Sequence, residues 1–244
     1  MSAIQIDISD KSYQYDGHTV RTISKLQLQV NANEFVCLVG PSGCGKTTLL
    51  NIVAGLDSQF HGHITINHDG PKPHLGYVFQ SPRLLPWYTV RKNIELVLCG
   101  LPPAELIDSL LAEMQLTEVQ HFYPERLSLG MQRRVAIIRA FAINPDVLLM
   151  DEPFVSLDAP SARQIRTLLY SLWLQRPHTV LFVTHDLREA IALADRLIFL
   201  TPKPMQIVAD IPVGIARMER NDAGKIEAFR EHLLQDFPII NRFL

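Results

Sequence analysis

The chain has 244 residues, 47% of them hydrophobic, which is enough to bury a large core in one domain or in a domain with a subdomain. Its 23 basic and 25 acidic residues leave a net charge of −2, with none of the excess positive charge of a protein that coats nucleic acid. No apolar run approaches the roughly 18 residues of a membrane span. The acid-bearing, alternating N-terminus is not that of a secretory leader, and three cysteines (Cys37, Cys44 and Cys99) without metal spacing point to reduced, structural thiols. These features predict a soluble cytoplasmic protein.

Ile4, Ile6 and Ile8 alternate with polar residues, as do Leu26, Leu28 and Val30. Both segments are predicted to be half-buried strands. Residues 34–39 (EFVCLV) form a buried strand that runs into GPSGCGKTT, residues 40–48, after which residues 47–56 open a helical pattern. Gly40, Gly45, Lys46 and Thr47 complete the pattern GxxxxGK[ST]. Its chemistry follows from the residue types. Glycines at 40, 43 and 45 let backbone N–H groups converge on phosphate oxygens without Cβ clashes. Pro41, Ser42, Cys44 and Thr48 complete the cradle, with Cys44 as a small filler. The helix N-terminus adds partial positive charge. Lys46 can reach the β- and γ-phosphates, and the Thr47 hydroxyl can bind Mg²⁺. The loop specifies a nucleoside triphosphate but not its use, since kinases, GTPases and motor ATPases share it.

Short strands follow at residues 64–66 and 76–79, and apolar runs at 147–150, 179–183 and 197–200 have the character of strands covered on both faces. Helical patterns fill residues 103–114, 128–141, 159–174 and 187–193. The alternation predicts an α/β fold of the P-loop NTPase type, with a mainly parallel sheet and an N-terminal antiparallel β addition. Residues 82–143 are expected to form an inserted α-helical subdomain, and residues 1–81 and 144–244 the core, within a single domain over 1–244. Pro202 and Pro204 mark a turn before what reads as a short C-terminal tail.

Five further sites follow the loop in order: Gln80 at the end of a strand, LSLGMQ at residues 127–132, Asp151-Glu152-Pro153, Ser156-Leu157-Asp158, and His185 at the end of a strand. Each is weak alone. With the loop, the ordered set resembles the ATPase subunit of ABC (ATP-binding cassette) transporters over nearly the whole chain.

An acid at the end of a buried strand beside a phosphate loop, Asp151, suits Mg²⁺ held through its water shell. Without the loop, Asp151-Glu152 would read as a solvated turn. The resemblance implies that Glu152 is the general base that polarises the attacking water and that His185 contacts the γ-phosphate. It also implies that Gln80 ligates Mg²⁺ and senses the permease. Ser128, Gly130 and Met131 then present a hydroxyl, backbone N–H groups and a helix N-terminus to the γ-phosphate on a partner subunit. The family signature is LSGGQ or LSGGM, so Leu129 replaces a glycine, with an expected cost in activity. Tyr13 and Tyr15 lie two apart on one side of a strand. The family pattern around Lys11-Ser12-Tyr13 favours Tyr13 as the residue stacked on adenine. Asp158 resembles the aspartate that carries signals across the dimer, and a helix N-cap is its simpler reading.

The stretch FQSPRLLPWYTV, residues 79–90, resembles importers of nitrate, aliphatic sulfonates and taurine. There Leu84, Leu85 and Trp87 stand where the ATPase grips its permease. The cofactors implied are ATP and Mg²⁺. The partners implied are a second copy of the chain in an ATP-sandwich homodimer, transmembrane permease subunits and, indirectly, a periplasmic or extracellular solute-binding protein, with no nucleic acid. The expected location is peripheral, on the cytoplasmic side of the inner membrane. A C-terminal regulatory domain like that of sugar-importer ATPases is not expected. Rival readings are a soluble cassette ATPase, for example in iron–sulfur assembly, an inactive regulatory subunit, and an exporter subunit. Residues 49–127, between loop and signature, carry no heptads, which argues against a DNA-repair type.

Overall fold

A computed structural model describes residues 2–67, 72–98 and 104–242. In chain order the elements are β1 Ser2–Tyr15, β2 His18–Asn31, β3 Phe35–Val39, α1 Lys46–Val53, β4 His61–Ile66, β5 Leu75–Val78, α2 Val90–Glu95, α3 Ala104–Glu113, α4 Leu129–Ala142, β6 Val147–Asp151, α5 Ala159–Gln175, β7 Thr179–Thr184, α6 Leu187–Leu193, β8 Arg196–Leu200, β9 Ile207–Pro212 and α7 Ala223–Asp236. The chain divides into two compact units, Met1–Gly70 with Thr179–Leu244, and Pro71–His178.

In the first unit, β1 and β2 form an antiparallel hairpin closed by Asp16 (φ 46°) and Gly17 (φ 75°). Two consecutive positive φ values give the turn whose twist matches that of the strands, and Asp-Gly is a favoured pair for it. β4 pairs antiparallel with the other edge of β1, so the strand order is β2-β1-β4. Ile4, Ile6, Ile8, Leu26, Leu28 and Val30 are all buried, and the alternation read from the sequence is the buried face of this sheet. β3 lies between β7 and β8, parallel to both, and β9 adds an antiparallel edge to β8. Every residue of β3 and β7 is buried, as continuous apolar runs require.

After Pro202 and Pro204 the chain forms regular structure, not the expected short tail. The segment turns at Thr201, whose N–H donates to Gln206 O at 3.0 Å, and then supplies β9 and the 14-residue α7. Asp222 caps α7 by accepting from the N–H groups of Gly224 and Lys225, while Ile226 and Leu233 are buried. α7 packs on α6, with Arg188 donating to Glu227 at 2.8 Å.

The second unit is organised around α4, which packs against α2, α3, α5 and β5. β5 and β6 pair in parallel. A Cβ at Gly76 would lie 2.6 Å from the carbonyl oxygen of Ala140, so only glycine lets β5 approach α4 this closely. The short helix α2 has no counterpart in the sequence reading. It is capped by Thr89, and the fully buried Asn93 uses its amide to bind the carbonyls of Leu85, Tyr88 and Thr89 and the N–H of Leu85. The helix expected from Pro103 begins at Ala104 among the described residues, and Cys99 lies outside them. No helix among the described residues is long and apolar enough to cross a membrane.

His178, at the end of this unit, is 6% exposed, and its Nε2 has no hydrogen-bond partner among the described residues. Its ring lies 5.5 Å from that of Phe141, and its carbonyl accepts from Trp173 Nε1 at 2.8 Å. Burial, and then the positive charge of Arg176, push its pKa down to about 4. The folded chain therefore takes up this proton at lower pH than the unfolded chain. Stability is retained above the ordinary histidine value and lost as pH falls from there toward 4. Allowing for screening, the loss is on the order of 2 kcal/mol. Denaturant unfolding of His178→Leu at pH 7.5 and pH 4.5 is expected to show a correspondingly smaller drop than wild type. Equal drops would remove His178 from the acid response.

Candidate functional site

The residues nominated by the sequence fall in both units. In the first, β3 ends at Val39 and the loop Gly40–Thr48 leads into α1. Gly43 (φ 77°) and Gly45 (φ 121°) hold the backbone in the region that L side chains avoid, and Gly45 is the N-cap of α1. A Cβ at Gly45 would also meet the methyl carbon of Thr22 at 2.8 Å, and Thr22 is 1% exposed. No acid lies in the first turn of α1, so its partial positive charge is not offset locally. Ser42, Gly43 and Thr47 are exposed, whereas Cys44 is buried in the filler position expected of it. Lys46 is 5% exposed, and its ammonium donates to the carbonyls of Gly40 at 2.8 Å and Pro41 at 3.0 Å. The loop thus holds a buried cation on its own backbone oxygens, which phosphate oxygens can replace.

His185 belongs to the same sheet edge. β3 and β7 are in parallel register with Val39 opposite Thr184, and the next residues are Gly40 and His185. Both therefore leave adjacent strands at their carboxyl ends, where open α/β sheets bind ligands. Asp186 caps α6 and donates its own N–H to Thr184 Oγ1 at 3.0 Å, and Thr184 Oγ1 donates to Glu189 at 2.9 Å. The backbone on either side of His185 is fixed while its side chain is exposed. Tyr13 is 42% exposed and donates its hydroxyl to Asp57 Oδ2 at 2.9 Å.

In the second unit, β5 ends at Val78, so Gln80 stands two residues beyond the strand rather than at its last position, and is exposed. Asp151 is the last residue of β6 and 3% exposed. Val78 and Met150 are register partners, so Gln80 and Asp151 leave neighbouring parallel strands at the same end. Glu152 follows at φ 43°, a conformation that costs a non-glycine residue free energy and swings its side chain off the strand's course. Val155 N–H closes a turn on the Glu152 carbonyl at 3.2 Å. Asp158 is the N-cap of α5, accepting from Ser161 N–H at 2.9 Å and Ser161 Oγ at 2.8 Å, which lowers its pKa. The simpler role foreseen for it is therefore present.

Ser128 caps α4, its Oγ accepting from Met131 N–H at 3.2 Å. Leu129 is the first helical residue and is 38% exposed. A Cβ at Gly130 would meet nothing closer than 3.9 Å, so neither position needs a glycine for the fold of this chain.

Sequence reasoning missed two arginines of α4. Arg133, 3% exposed, donates to the carbonyls of Phe79 at 3.3 Å and Val155 at 3.4 Å. Arg139 donates to the carbonyls of Arg83 at 2.9 Å and Pro82 at 3.0 Å. Both guanidinium pKa values are lowered by burial. These contacts tie the segments around Gln80 and Asp158 to the helix that Ser128 opens. The available signal was three arginines, Arg133, Arg134 and Arg139, within the buried, mostly apolar run of that helix.

The family model for ABC transporters matches residues 23–155. The chain belongs to the ABC transporter family. This ABC ATPase is 37% identical over 240 residues to the aliphatic sulfonates import ATP-binding protein of Bacillus subtilis (strain 168), covering 96% of this chain and 94% of that protein. It is 41% identical over 224 residues to a protein of the same description from Burkholderia cenocepacia (strain HI2424), covering 89% of this chain and 82% of the other. Among solved structures it resembles a dimeric ATP-binding cassette in a post-hydrolysis state bound to ADP and Pi, with a TM-score of 0.75, 29% identity, and coverage of 87% of this chain and all of that one.

The Thr47 hydroxyl in the first unit, and the Gln80 amide oxygen and Asp151 carboxylate in the second, are each hard oxygen donors of the kind that Mg²⁺ takes. No cluster of three or more His, Cys, Asp or Glu residues among the described residues suits a softer metal. Gly45→Ala is expected to weaken ATP binding about tenfold or more, because the new methyl combines a disfavoured φ with the Thr22 contact. Titration of the purified chain with ATP measures this, and wild-type affinity would contradict the cradle geometry.

Proposed function

We propose that this ABC ATPase is the ATP-hydrolysing subunit of a membrane importer for a small solute of the nitrate, sulfonate or taurine class. The observation that carries the reading is its 37% identity, along nearly the full length of both chains, to an aliphatic sulfonates import ATP-binding protein. On this reading residues 1–244 form one ATPase domain with a helical subdomain at 82–143, where α2, α3 and α4 lie and no strand is found among the described residues.

Two copies pack head to tail around two ATP molecules, as the dimeric cassette neighbours suggest. The backbone of Gly40–Thr48 holds the phosphates. Lys46 exchanges the carbonyls of Gly40 and Pro41 for β- and γ-phosphate oxygens. Tyr13 stacks on adenine. Thr47, Gln80 and Asp151 hold Mg²⁺, which when bound neutralises charge on the phosphates. Glu152 takes a proton from the attacking water, and His185 donates to the γ-phosphate. Ser128, Gly130 and Met131 of the second copy close the site from the other side, and Asp158 relays its state. Permease subunits seat on the segment around Leu84, Leu85 and Trp87. Trp87 is 66% exposed on a loop that Asn93 holds in shape, as a docking side chain requires. The subunit then sits peripherally on the cytoplasmic face of the membrane, with a solute-binding protein acting through the permease.

Glu152→Gln is expected to bind ATP, dimerise, and lose at least about a hundredfold in turnover. Normal hydrolysis by this variant would refute the base assignment. Affinity purification of the tagged chain from detergent-solubilised membranes should recover two membrane-spanning permease chains. Recovery of soluble partners alone would refute transport. Leu129→Gly is expected to leave turnover equal or higher in a steady-state ATPase assay, and a large loss would show that the leucine is adapted to the partner's nucleotide.

A further inference from the structure

β1 is paired on both edges only as far as Asp10, where its pairing with β4 ends. Beyond that point β1 and β2 continue as a two-stranded ribbon to the turn at Asp16 and Gly17, and Tyr13 stands on that ribbon opposite Val20. A two-stranded ribbon has little stability of its own in water. An aromatic ring placed there makes a poor platform unless something fixes it.

Lys11 and Asp57 do so. Lys11 lies on the same side of β1 as Tyr13, two residues earlier, and is 1% exposed. Its ammonium donates to Asp57 Oδ1 at 2.8 Å and to the carbonyl of Gln59 at 2.7 Å, and lies 2.8 Å from Asp57 Oδ2. It also sits 4.3 Å from the centroid of the Tyr13 ring. Asp57 Oδ2 accepts the Tyr13 hydroxyl at 2.9 Å. Asp57 is itself fixed: its Oδ1 accepts from Gln59 N–H at 3.0 Å, and its own N–H donates to the carbonyl of Asn51 in α1 at 3.2 Å. Burial pushes the Asp57 carboxyl up, but the hydrogen bonds from Lys11, Gln59 N–H and Tyr13 together outweigh it and hold its pKa below the usual range.

The ring of Tyr13 is therefore anchored at its hydroxyl and over one face to the far end of the helix that the phosphate loop opens. Burying an ammonium is costly even when paired, and an apolar residue of similar volume commonly gives equal or greater stability. Stability of the fold alone does not account for this pair. We propose that Lys11 and Asp57 are positioning residues that set the Tyr13 ring at a fixed distance from the phosphate loop, so that it receives the purine base of a nucleotide whose phosphates the loop already holds. The inference rests on the reading of Tyr13 as the base-stacking residue. Lys11 covers one face and draws electron density from the ring, leaving the other face for the base.

Lys11→Met, which keeps the buried stem, and Asp57→Asn, which keeps the side-chain shape, are tested in the full chain by calorimetric titration. The two probes are a non-hydrolysable ATP analogue and inorganic tripolyphosphate, which has no base. Both variants are expected to bind the analogue about five- to tenfold more weakly and tripolyphosphate as wild type does, the pattern also expected for Tyr13→Ala. Wild-type affinity for the analogue in both variants overturns the proposal. Equal weakening toward both probes overturns it as well, since the pair would then act on the loop or the fold. If Tyr13→Ala itself binds the analogue normally, the base-stacking reading fails and takes the proposal with it.

Discussion

The parallel pairing of β3 with β7 and β8 governs everything the first unit does. A strand bonded on both edges, with all five side chains buried, has no freedom to shift register, because a one-residue slip would turn its apolar set against neighbours packed for the other face. Its end at Val39 is therefore a fixed point in space. The phosphate loop, the start of α1 and the position of His185 all inherit that precision. Between Val39 and Lys46 the loop has no regular structure, and its shape comes from positive φ at Gly43 and Gly45, from the Thr22 methyl, and from carbonyls gathered around one ammonium.

In the second unit, β5 and β6 supply the same kind of fixed edge to Gln80 and Asp151, but α4 carries the burden of organisation. It sets three guanidinium groups, those of Arg133, Arg134 and Arg139, against backbone carbonyls rather than carboxylates. A buried cation satisfied only by neutral oxygens gains less than an ion pair and still bears the desolvation penalty. What the arrangement supplies is direction. The Phe79–Arg83 stretch and the turn at Val155 are each oriented by a rigid helix rather than by their own irregular backbones.

Much of this was legible in the sequence because local chemistry determined it. Glycines and a lysine at fixed spacing after an apolar run specify a phosphate cradle wherever they occur, and an acid ending a buried strand faces few outcomes. Asp158 was legible twice over, since its capping role needs only the helix that follows it. Other parts were not. β9 alternates weakly because it is an edge strand with mixed exposure, and α7 exposes most of its surface, so neither shows a strong period. α2 is too short for periodicity to register. The bond from Lys11 to Asp57 joins residues 46 apart, and nothing in either segment announces the other. Leu129 was read as a cost in activity, and within its own chain the backbone there is an ordinary first helical turn.

That last point extends beyond mechanics. If a glycine at 129 or 130 contributes nothing to the folding of its own chain, then selection for a stable, well-expressed monomer is blind to both positions. A population screened only for folding would drift there at the neutral rate, and the pair would decay without any change in thermal stability. Only a second surface pressed against it can record the loss. In the proposed head-to-tail dimer the signature is written in one polypeptide and read by another, so any cost of its leucine would register in turnover and not in the stability of the chain that carries it.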